Sequence, residues 1–448
     1  MYYNIKKYAR NSLGIRKGTQ MNREILERSF AGDGIGLNFV ENDRYKTNYI
    51  SIYFVTELNK KSASYNTLLA RVLTRGCEKY PTQRELNRAL DSCFDAGLFS
   101  DTAKVGEWHA LSLSLCLLDD SFALEGEHVT EKGIELLREV LLHPYLPGGN
   151  FDKNYVESER RLNLDEIAAA VNHKARYARS RMFEHMCRLE PYSTCPLGDK
   201  RELRAITPES LTEYYRSLLA TARIEVFFVG RFDRERVKKE IEEMFSSLVR
   251  SPKELPAISV RTKARNVKEV TETMDITQAN LVMGFRIGCT LQDPAWRAMS
   301  LYNAVLGGSL TSKLFCVLRE KMSLCYSISS SPDALKGVML IYAGIAPENR
   351  SVAIREALNQ MNEIREGNVT REELESARGA LINSLNGLED NPAALAEWYL
   401  PRVLLGCIQT PEAIVEELKR VSLEDVVKAS ERITLDTVYT LTAKEVQA

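Results

Sequence analysis

An excess of charge of either sign is the first thing this sequence lacks. Lys+Arg number 60 against 61 for Asp+Glu, a formal net charge of −1. No global basic field therefore suits nucleic acid, and no acidic tail marks a disordered module. No apolar run approaches the length of a membrane span. The opening MYYNIKKYARNSLGIRKGTQ is basic and has no apolar core of the secretory kind. With Met21 behind it, it reads as a loosely packed leader or a misplaced start. Nine cysteines include no C-x-x-C pair, and their odd number leaves one over in any full disulfide scheme. Most sit in apolar settings, as buried free thiols do, so the expected compartment is the cytoplasm. Five histidines, at 109, 128, 143, 173 and 185, show no ligand spacing. Gly307-Gly308 opens no phosphate loop.

What is there is a soluble globular composition, 44% hydrophobic and 27% charged over 448 residues. That length suits about two or three domains. Ser29–Asn38 and the alternating Asn48–Thr56 read as strands. Tyr65–Leu73 follows as a helix burying Leu68, Leu69, Val72 and Leu73, with Gly76 placed as its C-cap. Thr82–Phe94 is a helix opened by a capping box, Thr82 with Glu85. Trp108–Leu117 alternates as a strand. Thr130–Leu142 and the longer Phe151–Val171 are helical, as is Leu211–Leu219. Ile224–Val229 is a strand, and Arg234–Leu248 an amphipathic helix.

Ser251–Thr262 has two prolines and no periodicity, which marks a linker. The order of elements then starts again. Asn280–Ile287 is a strand like Asn48–Thr56, and Ala295–Leu306 a helix like the one at Tyr65. Gly337–Ile345 matches Trp108–Leu117, Thr370–Leu388 matches Phe151–Val171, and Val438–Leu441 would match Ile224–Val229. Ser351–Glu366 adds a helix. The chain is thus read as two copies of one α+β unit of roughly 200 residues. Each copy is a mostly antiparallel sheet with helices packed on one face.

Leu306–Ser330 (LGGSLTSKLFCVLREKMSLCYSISS) sits in the second copy. It reads as a Gly-Gly turn, an amphipathic helix presenting Leu310, Leu314, Val317 and Leu318, a short loop, and a strand from Cys325-Tyr326. Arg319 and Lys321 in the last helical turn suit the macrodipole. On these residues alone Arg319 is a solvated helix end and Tyr326 an ordinary strand aromatic.

The two-unit pattern, from roughly Gly34 to Leu441, resembles the pitrilysin/insulinase metallopeptidase family, which includes the mitochondrial processing peptidases. Members carry His-x-x-Glu-His on the first helix, two histidines holding Zn²⁺ and a Glu activating water. Aligned on Gly76, that window is Thr67-Leu68-Leu69-Ala70-Arg71 here. Thr67 and Arg71 replace the histidines and Ala70 the general base. VESERRLNLDEI matches the family's downstream helix, with Glu166 at the third ligand position and Glu159 as its companion. Without histidines these carboxylates read as a charged helix face making surface pairs. Arg181-Met182-Phe183-Glu184-His185 resembles part of the motif but begins with Arg and follows the long helix. His185 is therefore an ordinary structural or surface histidine.

LREKMSLCYSISS resembles the family segment Leu-Arg-Glu-Lys-x-Gly-Leu-Ala-Tyr-Ser, with Met322-Ser323 where x-Gly is usual. The resemblance makes Arg319 and Tyr326 the pair that the second domain directs toward a zinc site. It implies a first insulinase-like domain over 29–250 with a degenerate zinc site, after an extension over 1–28. A linker over 251–265 and a second such domain over 266–448 follow, the whole forming half of a clamshell chamber. The implied function is a catalytically incomplete subunit of a heterodimeric peptidase. It would bind no cofactor itself, would pair with a zinc-bearing homologous subunit, and would hold short or unfolded peptides with Arg319 and Tyr326. No nucleic-acid or membrane partner is implied. The alternatives are a non-catalytic scaffold of the same fold and a homodimeric peptide binder.

Overall fold

In the computed structural model, which describes residues 26–124 and 126–444, two sheets are built on one plan. The first half runs β1 (Leu26–Phe30), β2 (Ile35–Glu41), β3 (Thr47–Glu57), α1 (Lys60–Leu73), α2 (Gln83–Asp91), β4 (Gly97–Val105) and β5 (Trp108–Leu118). It continues through α3 (Val129–Leu142), α4 (Lys153–Ala169), α5 (Lys174–Met186), α6 (Lys200–Ala205), α7 (Pro208–Thr221), β6 (Arg223–Gly230) and α8 (Arg234–Phe245). The second half runs β7 (Lys268–Met274), β8 (Ala279–Arg286), α9 (Trp296–Leu306), a π-helical stretch Phe315–Lys321, β9 (Cys325–Asp333) and β10 (Val338–Ile345). It closes with α10 (Arg350–Arg365), α11 (Arg371–Asn386), α12 (Pro392–Leu405), α13 (Pro411–Arg420), α14 (Leu423–Ser430) and β11 (Thr434–Ala443).

The strand orders are β1-β2-β6-β3-β5-β4 and β7-β11-β8-β10-β9. With β1 set aside they superpose position by position. In each sheet the pair at the same end is parallel, β2 with β6 and β7 with β11, and every other pair is antiparallel. The repeat read from element order is therefore a repeat of topology.

Each half packs its own helices on one face of its sheet, around Leu68, Leu69, Leu113 and Val226 in the first and Leu281, Met299, Leu301 and Ile341 in the second. The other faces are covered by exchange. From the first half, α5 lays Ala178, Met182 and Met186 on Val282, Leu340 and Tyr439 of the second sheet. From the second half, α12 lays Leu395, Tyr399 and Val403 on Tyr53, Phe227 and Val229 of the first. Burying such side chains contributes about 1.5–3 kcal/mol each, so neither sheet keeps its second face dry without the other half.

Charge reinforces the exchange. The β4–β5 turn offers buried Glu107 and the equivalent β9–β10 turn offers buried Lys336, with Nζ to Oε1 at 2.7 Å. Lys336 also reaches Glu190 at 2.5 Å, and Arg286 on β8 joins Glu190 at 2.8 Å to Asp436 at 2.9 Å. The segment between the halves closes the network, Ser259 N–H donating to Glu107. Burial alone would raise the Glu190 pKa, but hydrogen bonds from Arg286 and Lys336 hold it below the ordinary value.

Three local expectations are corrected. Ser29–Asn38 is a hairpin, β1 and β2, because Gly32 and Gly34 turn the chain with positive φ. Gly76 is not the α1 cap, which falls on Thr74; a side chain there would strike the backbone of Tyr80 and Pro81. Leu310 stands 74% exposed in the turn before the helical segment and is no part of its apolar face. Among the described residues no helix is long and apolar enough to cross a membrane.

Candidate functional site

Helix α1 starts from an Asn59 capping box and buries Leu68, Leu69, Val72 and Leu73 under the first sheet. That fixes where Thr67, Ala70 and Arg71 lie. Thr67 is buried, and its Oγ1 is occupied by the Pro196 carbonyl at 3.1 Å and Thr102 Oγ1 at 3.2 Å. Ala70 is buried and brings no functional group. Arg71 turns to α4, where its guanidinium pairs with Glu166. One helical turn on, Arg75 pairs with Glu159 at 3.3 Å. Two carboxylates on one face of α4 thus meet two arginines on one face of α1.

Glu159 is buried, which overturns its reading as a surface pair. A buried carboxylate needs its partner, and Arg75, further held over the Tyr155 ring at 5.2 Å, supplies it. Between the two carboxylates lies Asn163, fully buried, whose amide finds no hydrogen-bond partner among the described residues. Such a group costs about 1–3 kcal/mol unless water reaches it.

Donor chemistry here does not fit zinc. A hydroxyl already bonded to a carbonyl, a methyl group and a guanidinium replace the two imidazoles and the general base, and Glu166 is spent on Arg71. Among the described residues no three His, Cys, Asp or Glu side chains gather to hold a metal. His185 does not form a site either. It stacks on Tyr439 and, with Arg181, approaches Glu272 at 3.3 Å, across the joint between halves. Burial would raise Glu272, but hydrogen bonds from Arg181, Tyr439 and His185 bring it to about 2.

Arg319 and Tyr326 stand on irregular backbone. Phe315–Lys321 is π-helical, a form that clusters at functional sites. It turns into β9 through Ser323, whose φ of +52° is the left-handed conformation that favours glycine. Ser323 occupies the place where the resembling segment has Gly. The β9–β10 ladder pairs Ser327 with Gly344 and Cys325 with Ile345, so Tyr326 is an unopposed bulge residue. The matching β4–β5 ladder of the first half runs without such a break. Bulges re-aim side chains, and Tyr326 is 71% exposed. Arg319 lies 4.6 Å over the Phe315 ring, and among the described residues its one ion-pair partner is its neighbour Glu320, at 3.6 Å.

Two sheets built alike, with an Arg71–Glu166 ion pair where the resembling metallopeptidases hold their ion, are the arrangement expected of an inactive metallopeptidase homologue. Residues 205–381 match the family described as "Peptidase M16 inactive domain". A Bacillus subtilis (strain 168) protein named "Probable inactive metalloprotease YmfF" is 28% identical over 413 residues, 92% of this chain and 96% of the relative. A conserved protein from Enterococcus faecalis V583 has the same fold, with TM-score 0.87 and 23% identity over 94% of this chain and 100% of that one. A peptidase M16 inactive domain from Pseudomonas fluorescens follows, with TM-score 0.77 and 16% identity over 94% and 99%. Over most of its length the chain is thus similar to a relative named as an inactive metalloprotease, and residues 205–381 match the M16 inactive domain, in keeping with the pitrilysin/insulinase resemblance of its sequence.

Proposed function

We propose that this chain is the zinc-free subunit of a heterodimeric M16 peptidase, supplying chamber wall and peptide contacts to a zinc-bearing homologous partner. The reading rests on one contrast. The metal positions are filled by Thr67, Ala70 and the Arg71–Glu166 pair, while Arg319 and Tyr326 stay exposed on a π-turn and a bulge. A scaffold has no chemical reason to keep that pair. In the complex, Tyr326 O–H donates to the oxyanion that develops on the scissile carbonyl, and Arg319 holds a substrate carbonyl or carboxylate. The substrate is a short or unfolded peptide lying extended against a sheet edge, where main-chain hydrogen bonds give affinity. The complex works in the cytoplasm.

The test is peptide cleavage by the chain alone, by an M16 partner carrying His-x-x-Glu-His, and by the two together. Activity appears only in the mixture and falls at least about tenfold with Arg319→Ala or Tyr326→Phe. Zinc-dependent cleavage by this chain alone sinks the reading, and full activity of both variants in the complex removes the pair from it. A chain that binds peptides as a homodimer, with no such partner, returns the alternative.

A further inference from the structure

Helix α5 carries a string of cations onto the second sheet, and one of them differs from its neighbours. Arg181 is tied to Glu272 and Glu184, and Lys174 rests on Met274. Arg179 has no carboxylate within ion-pair distance among the described residues. Its guanidinium carbon lies 4.5 Å over the Tyr342 ring, one Nη reaches Ser329 Oγ at a long 3.5 Å, and Nε is buried with no partner. Tyr342 is itself fixed, its hydroxyl donating to Asn280 at 2.9 Å. The guanidinium is thus immobilised and desolvated on one side while its hydrogen-bonding capacity is largely unspent.

Its surroundings suit an incoming chain. α5 packs mainly on β8 and β11 and more lightly on β10, and reaches β9, the last strand of the sheet, through Arg179. On this face β9 presents Ser327, Ser329 and Ser331 in alternation, the first and last exposed. β9 is the strand that carries Tyr326, its second residue.

Resting on the peptide-binding reading above, we infer that Arg179 receives a carboxylate carried by a peptide held along β9, and so sets a preference for acidic substrates. A planar guanidinium already flattened on an aromatic ring loses little further freedom on binding, and its fork matches a carboxylate in two parallel hydrogen bonds. The carboxylate belongs either to an acidic side chain or to the peptide's C-terminus.

Three short labelled peptides, identical except at these groups, separate the two sources: internal Glu with an amidated end, internal Gln with an amidated end, and internal Gln with a free carboxylate. Their binding to the full chain is followed by fluorescence anisotropy. One carboxylate-bearing peptide binds about tenfold more tightly than the neutral one, as a charge-assisted hydrogen bond of about 1.5 kcal/mol requires. Arg179→Gln abolishes that advantage without weakening the neutral peptide, and Arg179→Lys, which keeps the charge and the packing stem, retains part of it. Arg176→Gln, which removes an exposed cation from the same helix, changes nothing. Equal binding of all three peptides, or an equal effect of Arg176→Gln, overturns the inference while peptide binding stands. If none binds, the peptide-binding reading falls and takes this inference with it.

Discussion

Arg71 lays its guanidinium on the Glu166 carboxylate, across the gap between α1 and α4. A cation fixed on the chain thus meets the carboxylate at the place where the resembling peptidases put a metal ion. The pair is open to solvent, with side chains 29% and 48% exposed, so it is worth at most about 1 kcal/mol.

It follows that zinc has nothing to stabilise. A ligand that binds only the folded state raises stability by RT ln(1 + [L]/Kd). Thermal unfolding with added Zn²⁺ and with a chelator is expected to agree within about 1 °C. Arg71→Ala is expected to cost less than about 1 kcal/mol. A chelator-sensitive melting temperature would show that a metal is held after all.

The duplicated element order was legible because the central strands β3, β5, β6, β8 and β10 are apolar and the helices carry clear stripes. The strands that escaped, β4 and β7, lie at sheet edges with one or both faces in solvent, where no apolar alternation is required. α5 escaped for a different reason: Ala178, Met182 and Met186 recur at every fourth position, but Arg176 before them and Arg179 and Arg181 between them dilute the stripe. The substitutions at Thr67, Ala70 and Arg71 could be read directly from the chain. Their consequence, an Arg on Glu166 and a buried Glu159, needed the approach of α4 to α1. Nor could Glu107, Glu190, Arg286, Lys336 and Asp436 be grouped from sequence, since their contacts span up to 229 positions.

Ser323 links the helix of Arg319 to the strand of Tyr326 in a left-handed conformation that costs a non-glycine residue about 1–2 kcal/mol. Glycine removes this strain but adds freedom to the unfolded chain. Ser323→Gly is therefore expected to raise stability by about 0.5–1 kcal/mol in urea unfolding. Ser323→Val, branched at Cβ, should lower it by more than that. A destabilising glycine would mean that the Ser323 side chain, and not its backbone, holds the turn.

Lys336 joins two buried carboxylates from the first half to the second. Removing it leaves Glu107 and Glu190 without one of their counter-charges in a dry interface, and breaking such a network costs about 3–5 kcal/mol. Lys336→Met should lower the melting temperature sharply. Adding Glu107→Gln should restore part of the loss, because it removes one of the stranded charges. If the double variant melts lower than the single one, the charge at Glu107 is satisfied elsewhere and Lys336 is not its essential partner.

His109 makes the acid limb of stability predictable. It lies buried on β5, Nδ1 accepting from the Asn66 amide at 3.0 Å and Nε2–H donating to the Pro196 carbonyl at 2.9 Å. Burial opposes the imidazolium and brings its pKa down to about 4 from 6.5. The unfolded chain therefore takes up this proton as pH falls below 6.5, while the folded chain refuses it until about 4. The sign is fixed: stability is full above pH 6.5 and declines through that window, by up to about 3 kcal/mol. Protonation leaves the Nε2–H bond to Pro196 in place but turns Nδ1 into a donor facing the Asn66 amide donor. His109→Gln, which keeps a donor and an acceptor but cannot titrate, should flatten the stability profile between pH 6.5 and 4 at the cost of some packing at neutral pH. A profile in that window unchanged by the substitution would assign the acid sensitivity to other groups.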